Sequence, residues 1–388
     1  MTDFQFFLSA ENHPVSAACR QRRIPAGRQV ESPRHDWTYE DFFTAIQSFL
    51  SADACSVPRQ CATQILGQSV SADQLKAISI YLVKHGHFYH PCRLALRLPD
   101  TCLNLVLNVA LSEDGRNGMD QEFSLLQRLR RQTRLDAIPE VYAMGNGAGV
   151  RGKSAPMFIG QWLDDYCEFH WSEADVSTCR EMMLWQADGM TRRLDANQVA
   201  SIYRQAAMIL TAAYHPVTTR QIFPWYHAAG DFVAKVAGDG RIDVRLITVR
   251  GYKPLASDGP PIESAADLMD ALTVFMLGML MRMRLDRCDG AGPVVWSDAH
   301  VLRAAIGGML QGLHLSALLY DLPPDLPHVA MAMFNRLERQ AVVRLNRRVL
   351  NTFHPESQMR AAAEARLEPH SRDVMTALGA VSNELSAA

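Results

Sequence analysis

The sequence predicts an α+β protein whose strands gather in one central stretch and whose C-terminal half is helical. Two observations carry this. Residues 92–98 (CRLALRL) and 103–109 (LNLVLNV) alternate around a Pro99-Asp100 turn, the period-two pattern of an antiparallel hairpin. Val199, Ile202, Ala206, Ile209, Leu210 and Ala213 instead recur at helical spacing, behind Asp195 and Gln198 at capping-box separation.

Residues 1–36 hold Pro14, Pro25, Pro33, Gly27 and five arginines without helical period, so an irregular leader is expected. Helical patterns follow at 39–52, 57–66 and 72–84. The third starts at Ser71 with Gln74 in capping-box position and places Leu75, Ile78 and Leu82 on one face. After the hairpin come a helix at 119–131 and strands at 138–143 and 157–162. That order of strand, strand, helix, strand, strand describes a small α+β lobe. From 172 onward the pattern is mainly helical, with helices expected at 198–214, 265–285, 299–313 and 328–350. Pro216 ends the first of these. Two short apolar runs, 232–236 and 244–247, flank a Gly238-Asp239-Gly240 turn. The expected division is a leader and helical extension over 1–84, a lobe over 85–165, and a helical remainder over 166–388.

With 388 residues and 48% hydrophobic content, there is material for two or three packed units. Lys and Arg number 39 against 41 Asp and Glu, a net charge of −2, so no general basic field points to nucleic acid. Eight cysteines include no Cys-x-x-Cys pair, and a chain of this length needs no staples; free thiols in a reducing, cytoplasmic compartment are expected. The opening MTDFQFFLSAENHP has no basic segment before its apolar run, so no signal peptide is read. The apolar stretch 271–281 stops at Arg282, short of the roughly 20 residues that span a bilayer, and reads as a core helix.

Residues 105–110 (LVLNVA), a turn, and residues 120–126 (DQEFSLL) resemble the third strand and following helix of the small lobe of protein kinases and aminoglycoside-phosphotransferase-like kinases. In that family the strand carries a lysine that holds the nucleotide phosphates, and a glutamate on the helix pairs with it. By this resemblance Glu122 stands at the glutamate, while Asn108 replaces the lysine. Residues 138–145 and 157–163 resemble the next strand and the hinge strand that frames adenine, which brings in Met157 and Trp162 as adenine contacts. Further on, 229–233 (AGDFV) resembles the family's Pro-Gly-Asn-Ile-Leu stretch, placing Asp231 at the magnesium-binding asparagine. The catalytic base then falls at Tyr226 or His227. The second metal aspartate becomes Thr248, and Arg250 just beyond it is a candidate phosphate contact. The resemblance implies a two-lobed kinase-like fold, with ATP and Mg2+ as the cofactors to test.

The residues themselves temper that chemistry. Phosphoryl transfer needs charge neutralised by lysine and magnesium and the nucleophile placed by a carboxylate. Asparagine carries no charge, and threonine is a poor magnesium ligand beside a carboxylate. Gly86 alone precedes the hairpin, where a phosphate nest needs several glycines. His227 and Asp231, four apart around Gly230, form the best candidate catalytic pair, with Asp231 the metal ligand; the bland alternative is a local cap and a turn. His85, His87 and His90 invite a metal, although on a strand His90 would not share the face of the other two. No Walker A, Gly-x-Ser-x-Gly or His-Glu-x-x-His motif is present.

The expected function is a degenerate or atypical kinase-like protein that binds a nucleotide or phosphorylated small molecule, in a regulatory role through a protein partner. The alternatives are an active atypical phosphotransferase or nucleotidyl transferase using His227 and Asp231, and an interaction module without ligand. Neither nucleic acid nor a membrane is an expected partner.

Overall fold

The computed structural model describes the chain except residues 1, 9–12, 26–35, 87, 175–176, 187–188, 226–227, 256–261 and 388, and the side chains of 151, 174 and 177–179. It forms two compact units, residues 1–127 with 139–164, and residues 128–138 with 165–388.

The first unit contains β1 (Asp3–Leu8), β2 (His13–Pro14), α1 (Ala17–Arg20), α2 (Tyr39–Leu66), β3 (Ala77–Leu82), β4 (His90–Arg97) and β5 (Cys102–Val109). It continues with most of α3 (Glu113–Thr133), then β6 (Val141–Ala148) and β7 (Ser154–Gln161). Its seven strands make one sheet in the order β2-β1-β3-β4-β5-β7-β6, antiparallel except for the β1/β3 pair. The expected hairpin is β4–β5, closing with Arg97 opposite Cys102. β7 returns beside β5, with Asn108 opposite Phe158 and Val109 opposite Met157.

Alternation sorts the faces. Leu94, Leu96, Leu105, Leu107, Met157 and Ile159 are buried in one core with Phe42, Ile46 and Leu50 of α2. A Thr38–Asp41 capping box starts α2, and residues Ala52–Cys55 leave helical geometry, giving the two helical pieces expected. α2 lies so close to β6 that a Cβ on Gly147 would sit 2.0 Å from the Ala45 carbonyl oxygen. Glycine is required there by approach.

Two expectations fail in this unit. The helix read at 72–84 is strand β3, and the leader contributes β1, paired in parallel along it. Leu75, Ile78 and Leu82 fit a helical stripe, but Ile78, Ile80 and Leu82 fit period two equally well. Ser71 and Gln74 do bond as a capping pair would, with the Ser71 N–H donating to Gln74 Oε1 at 2.8 Å, but they close a turn before a strand. The extension expected over 1–84 is thus built into the same sheet as the lobe.

The second unit begins with a three-stranded sheet, β8 (Glu168–Ala174), β9 (Ser177–Trp185) and β10 (Thr191–Arg193), in the order β10-β9-β8. This corrects the helical reading from 172 onward. Helix α4 (Ala196–Ala212) follows, started by the expected Asp195/Gln198 capping box. Then come β11 (Arg220–Ile222), the short α5 (Ala228–Asp231), the β12–β13 hairpin (Phe232–Val236 and Ile242–Leu246) and β14 (Tyr252–Pro254). The rest is α6 (Ala265–Met283), β15 (Leu285–Arg287), β16 (Val294–Trp296), α7 (His300–Tyr320), α8 (Leu326–Phe334), α9 (Arg339–Leu350), α10 (Gln358–Glu364) and α11 (Leu367–Ala387). The single helix expected at 328–350 is therefore two. α7 packs tightly on α4, where Gly308 admits the Arg204 carbonyl oxygen at 1.9 Å from a would-be Cβ. Among the described residues α7 is the one helix long and apolar enough to cross a bilayer, and 67% of its most apolar window is buried.

Candidate functional site

Each unit carries part of the expected site. In the first, pairing and alternation put Asn108 on the sheet face opposite the α2 core, with Phe158 beside it. α3 covers that same face: the Phe123 ring meets Phe158 at 6.0 Å and 61°. One residue earlier, Glu122 is only 3% exposed. Its carboxylate accepts a hydrogen bond from the Tyr89 hydroxyl at 2.7 Å, and the Tyr89 ring stands edge-on to Phe158 at 6.0 Å. Asn108 thus lies on the sheet face that α3, which carries Glu122, covers.

Met157 does not join them. Its side chain is fully buried on the α2 side of the sheet, packed toward Gly147, because adjacent residues of a strand point opposite ways. Trp162 lies just past β7 and is half-buried.

In the second unit, the β12–β13 hairpin does the positioning. Phe232 pairs with Leu246, so the residues just outside the hairpin, Asp231 and Ile247, meet; the Ile247 N–H donates to the Asp231 carbonyl at 3.0 Å. Thr248 and Arg250 follow directly. Asp231 is 2% exposed, and its carboxylate forms an ion pair with Arg250. Asp231, Thr248 and Arg250 lie at the same end of the hairpin, and the arginine faces the carboxylate. The sequence suggests Asp231 as a metal ligand and Arg250 as a phosphate contact, and in the structure the two pair with each other.

His227 and Tyr226 lie outside the described residues. Among the described residues no group of three or more His, Cys, Asp or Glu converges as a metal site. His85 and His90 approach each other, Nδ1 to Nδ1 at 3.1 Å, and His85 Nε2 lies 3.2 Å from the Tyr39 hydroxyl; a turn at Gly86 brings together residues that a continuous strand would separate. His87 is outside the described residues.

Two polar groups escaped the sequence reading. Tyr89 was not singled out, and no spacing signal marks it, because its partner lies 33 residues away. Asp286 is 1% exposed and accepts from the Trp171 N–H at 2.9 Å, the Arg287 N–H at 2.7 Å and His170 Nδ1 at 3.2 Å. It joins β8 to β15. Burial, aided by the Asp286 charge, pushes the nearby Tyr203 phenol well above its ordinary pKa.

No protein-family model matches the sequence, and no curated protein matches it. Among solved structures, "WaaP in complex with acyl carrier protein" aligns at a TM-score of 0.31 and 9% identity, over 68% of this chain and 86% of that one. At that distance the likeness does not itself assign a function.

Proposed function

We propose that the chain is a degenerate kinase-like protein that binds a nucleotide or another phosphorylated small molecule without ordinary phosphoryl transfer. One observation carries the reading. The two acidic residues at positions the resemblance singles out, Glu122 at the family's glutamate and Asp231 at its magnesium-binding asparagine, are buried, and each meets a group of the protein's own: Glu122 the Tyr89 hydroxyl, Asp231 the Arg250 guanidinium. In a working kinase their partners are a lysine and magnesium, which together neutralise the transferring phosphate. Here a neutral phenol and a tethered guanidinium stand at those places, while Asn108 and Thr248 supply no charge.

The element order supports the kinase-like part. Three successive strands β3, β4 and β5 form a meander, α3 leaves the third, and β7 returns beside it. Asn108 on the third strand of that meander and Glu122 on the helix that follows support the reading.

Thermal unfolding with ATP and Mg2+, and with ATP and EDTA, tests the reading. A ligand that binds only the native state raises the melting temperature by mass action. The expected result is a concentration-dependent rise without ADP release. No shift at millimolar ATP would overturn nucleotide binding, and ADP release at an enzymatic rate would overturn the degenerate assignment.

A further inference from the structure

We propose that Tyr89 is a self-closing latch over the sheet face that carries Asn108 and that α3 covers with Glu122, so that a nucleotide must displace it to reach Glu122. The proposal rests on the nucleotide reading above.

The latch sits in the connection between the first two strands of the meander, β3 and β4. Three attachments fix it within the first unit. The Gly86 N–H donates to the Tyr89 carbonyl at 3.1 Å, and a Cβ on Gly86 would stand 2.5 Å from that oxygen, so the turn needs glycine. The Phe88 carbonyl oxygen settles against α3, accepting from Ser112 Oγ at 3.4 Å and lying where a Cβ on Gly115 would come within 2.1 Å. Beyond these, the Tyr89 hydroxyl reaches Glu122 at 2.7 Å while its ring covers Phe158, the cross-strand neighbour of Asn108.

In kinases a flexible, glycine-rich loop between the first two strands covers the nucleotide phosphates. Here the corresponding connection carries an aromatic side chain that turns inward. A hydroxyl donating to a carboxylate is a short, charge-assisted bond, stronger than a neutral one. While it is made, the Glu122 carboxylate is engaged and the face beside Asn108 is covered. A ligand that needs that face binds only the open fraction, and its apparent affinity falls by that fraction.

Two substitutions open the latch by independent routes. Tyr89→Phe removes the hydroxyl and keeps the ring. Gly115→Ala leaves Tyr89 and Glu122 untouched, improves helix propensity in α3, and pushes Phe88 off its seat. Two readouts are made on the full chain: hydrogen exchange of the Gly86 amide, which reports how firmly the turn that presents Tyr89 is held, and titration with a fluorescent ATP analogue with Mg2+. Both variants are expected to exchange that amide at least tenfold faster and to bind the analogue about tenfold more tightly, as loss of one such bond implies. Unchanged exchange in both would overturn the latch, and so would faster exchange with unchanged affinity. Faster exchange with no analogue binding in any of the three proteins would leave the latch standing and overturn the nucleotide reading alone.

Discussion

The Arg250 guanidinium pairs with the Asp231 carboxylate across the end of the β12–β13 hairpin, from a position nineteen residues further along the chain. The carboxylate is buried, with 3% of its side-chain surface exposed, whereas the arginine keeps 22%. Removing one member of a buried pair strands the other, and that cost falls as the survivor gains access to water. Asp231 therefore has a structural duty whatever it binds.

That pair makes the first prediction. Asp231→Ala should lower stability by roughly 1–3 kcal/mol, and Arg250→Ala by more than an exposed arginine would cost, because it takes an opposite charge away from a buried carboxylate. A double-mutant cycle by urea denaturation measures the coupling. Additive single effects would show that the pair contributes nothing to stability.

His370 makes a second, pH-dependent prediction. It is fully buried on α11, edge-on to Trp296 at 5.4 Å, and neither ring nitrogen has a hydrogen-bond partner. Burial, with a smaller contribution from the Arg284 charge, holds its pKa down at about 3. Below the ordinary value of about 6.5 the unfolded chain takes up a proton that the folded protein refuses, so stability falls as pH falls from there toward 3. The contribution is fully present above pH 6.5. From pH 7 to 5 the wild type should lose about 2 kcal/mol more than His370→Leu, at about 1.4 kcal/mol per pH unit. Parallel pH dependence in the two proteins would mean that His370 is solvated or partnered.

The same contrast between local pattern and distant packing explains what the sequence could reveal. The β4–β5 hairpin, α4 and the β12–β13 turn were legible because one face or stripe is buried and the turn or cap residues agree with it. β3 was not: Ala77, Ile78, Ser79 and Ile80 are all buried, so the strand shows no polar face and its apolar residues also fit a helix. β8 hides for the same reason, with Phe169, His170, Trp171 and Ser172 all buried. The break between α8 and α9 has neither proline nor glycine to announce it. In the candidate site, Asn108, Glu122, Asp231 and Thr248 could be named one residue at a time by resemblance, but the groups that hold Glu122 and Asp231 could not. Those contacts are tertiary, and Tyr89 carries no local signal of its partner.

Gly147 tests one such tertiary contact. Gly147→Ala places a methyl group 2.0 Å from the Ala45 carbonyl oxygen, in backbone that cannot rotate aside. α2 must then shift off β6, with a cost of about 1–3 kcal/mol typical of overpacking. Gly152→Ala would isolate a different cause, since nothing lies within 4 Å of its would-be Cβ and only its positive φ of 74° opposes the change. Chemical denaturation should show the larger loss at Gly147. The opposite order would mean that α2 slides without cost.

A lysine placed at position 108 should strengthen nucleotide binding without making a kinase. Asn108→Lys adds a cation to the sheet face covered by α3, on which Glu122 sits and from which Met157 points away. An ammonium there can meet a phosphate, or compete with Tyr89 for the Glu122 carboxylate, and either outcome favours an occupied face. One new charge-assisted hydrogen bond is worth about 1.5 kcal/mol, close to tenfold in affinity. Turnover asks for more. Thr248 still offers no carboxylate to a second metal, and Asp231 remains tied to Arg250. Charge neutralisation and placement of the nucleophile act together in phosphoryl transfer, so repairing one leaves the barrier largely where it was. Calorimetric titration with ATP and Mg2+, run beside a phosphate-release assay on both proteins, separates the two effects. The expected result is tighter binding and unchanged release. A large gain in release would mean that the residues around Asp231 already form a working catalytic centre, and the chain would have to be counted among active phosphotransferases.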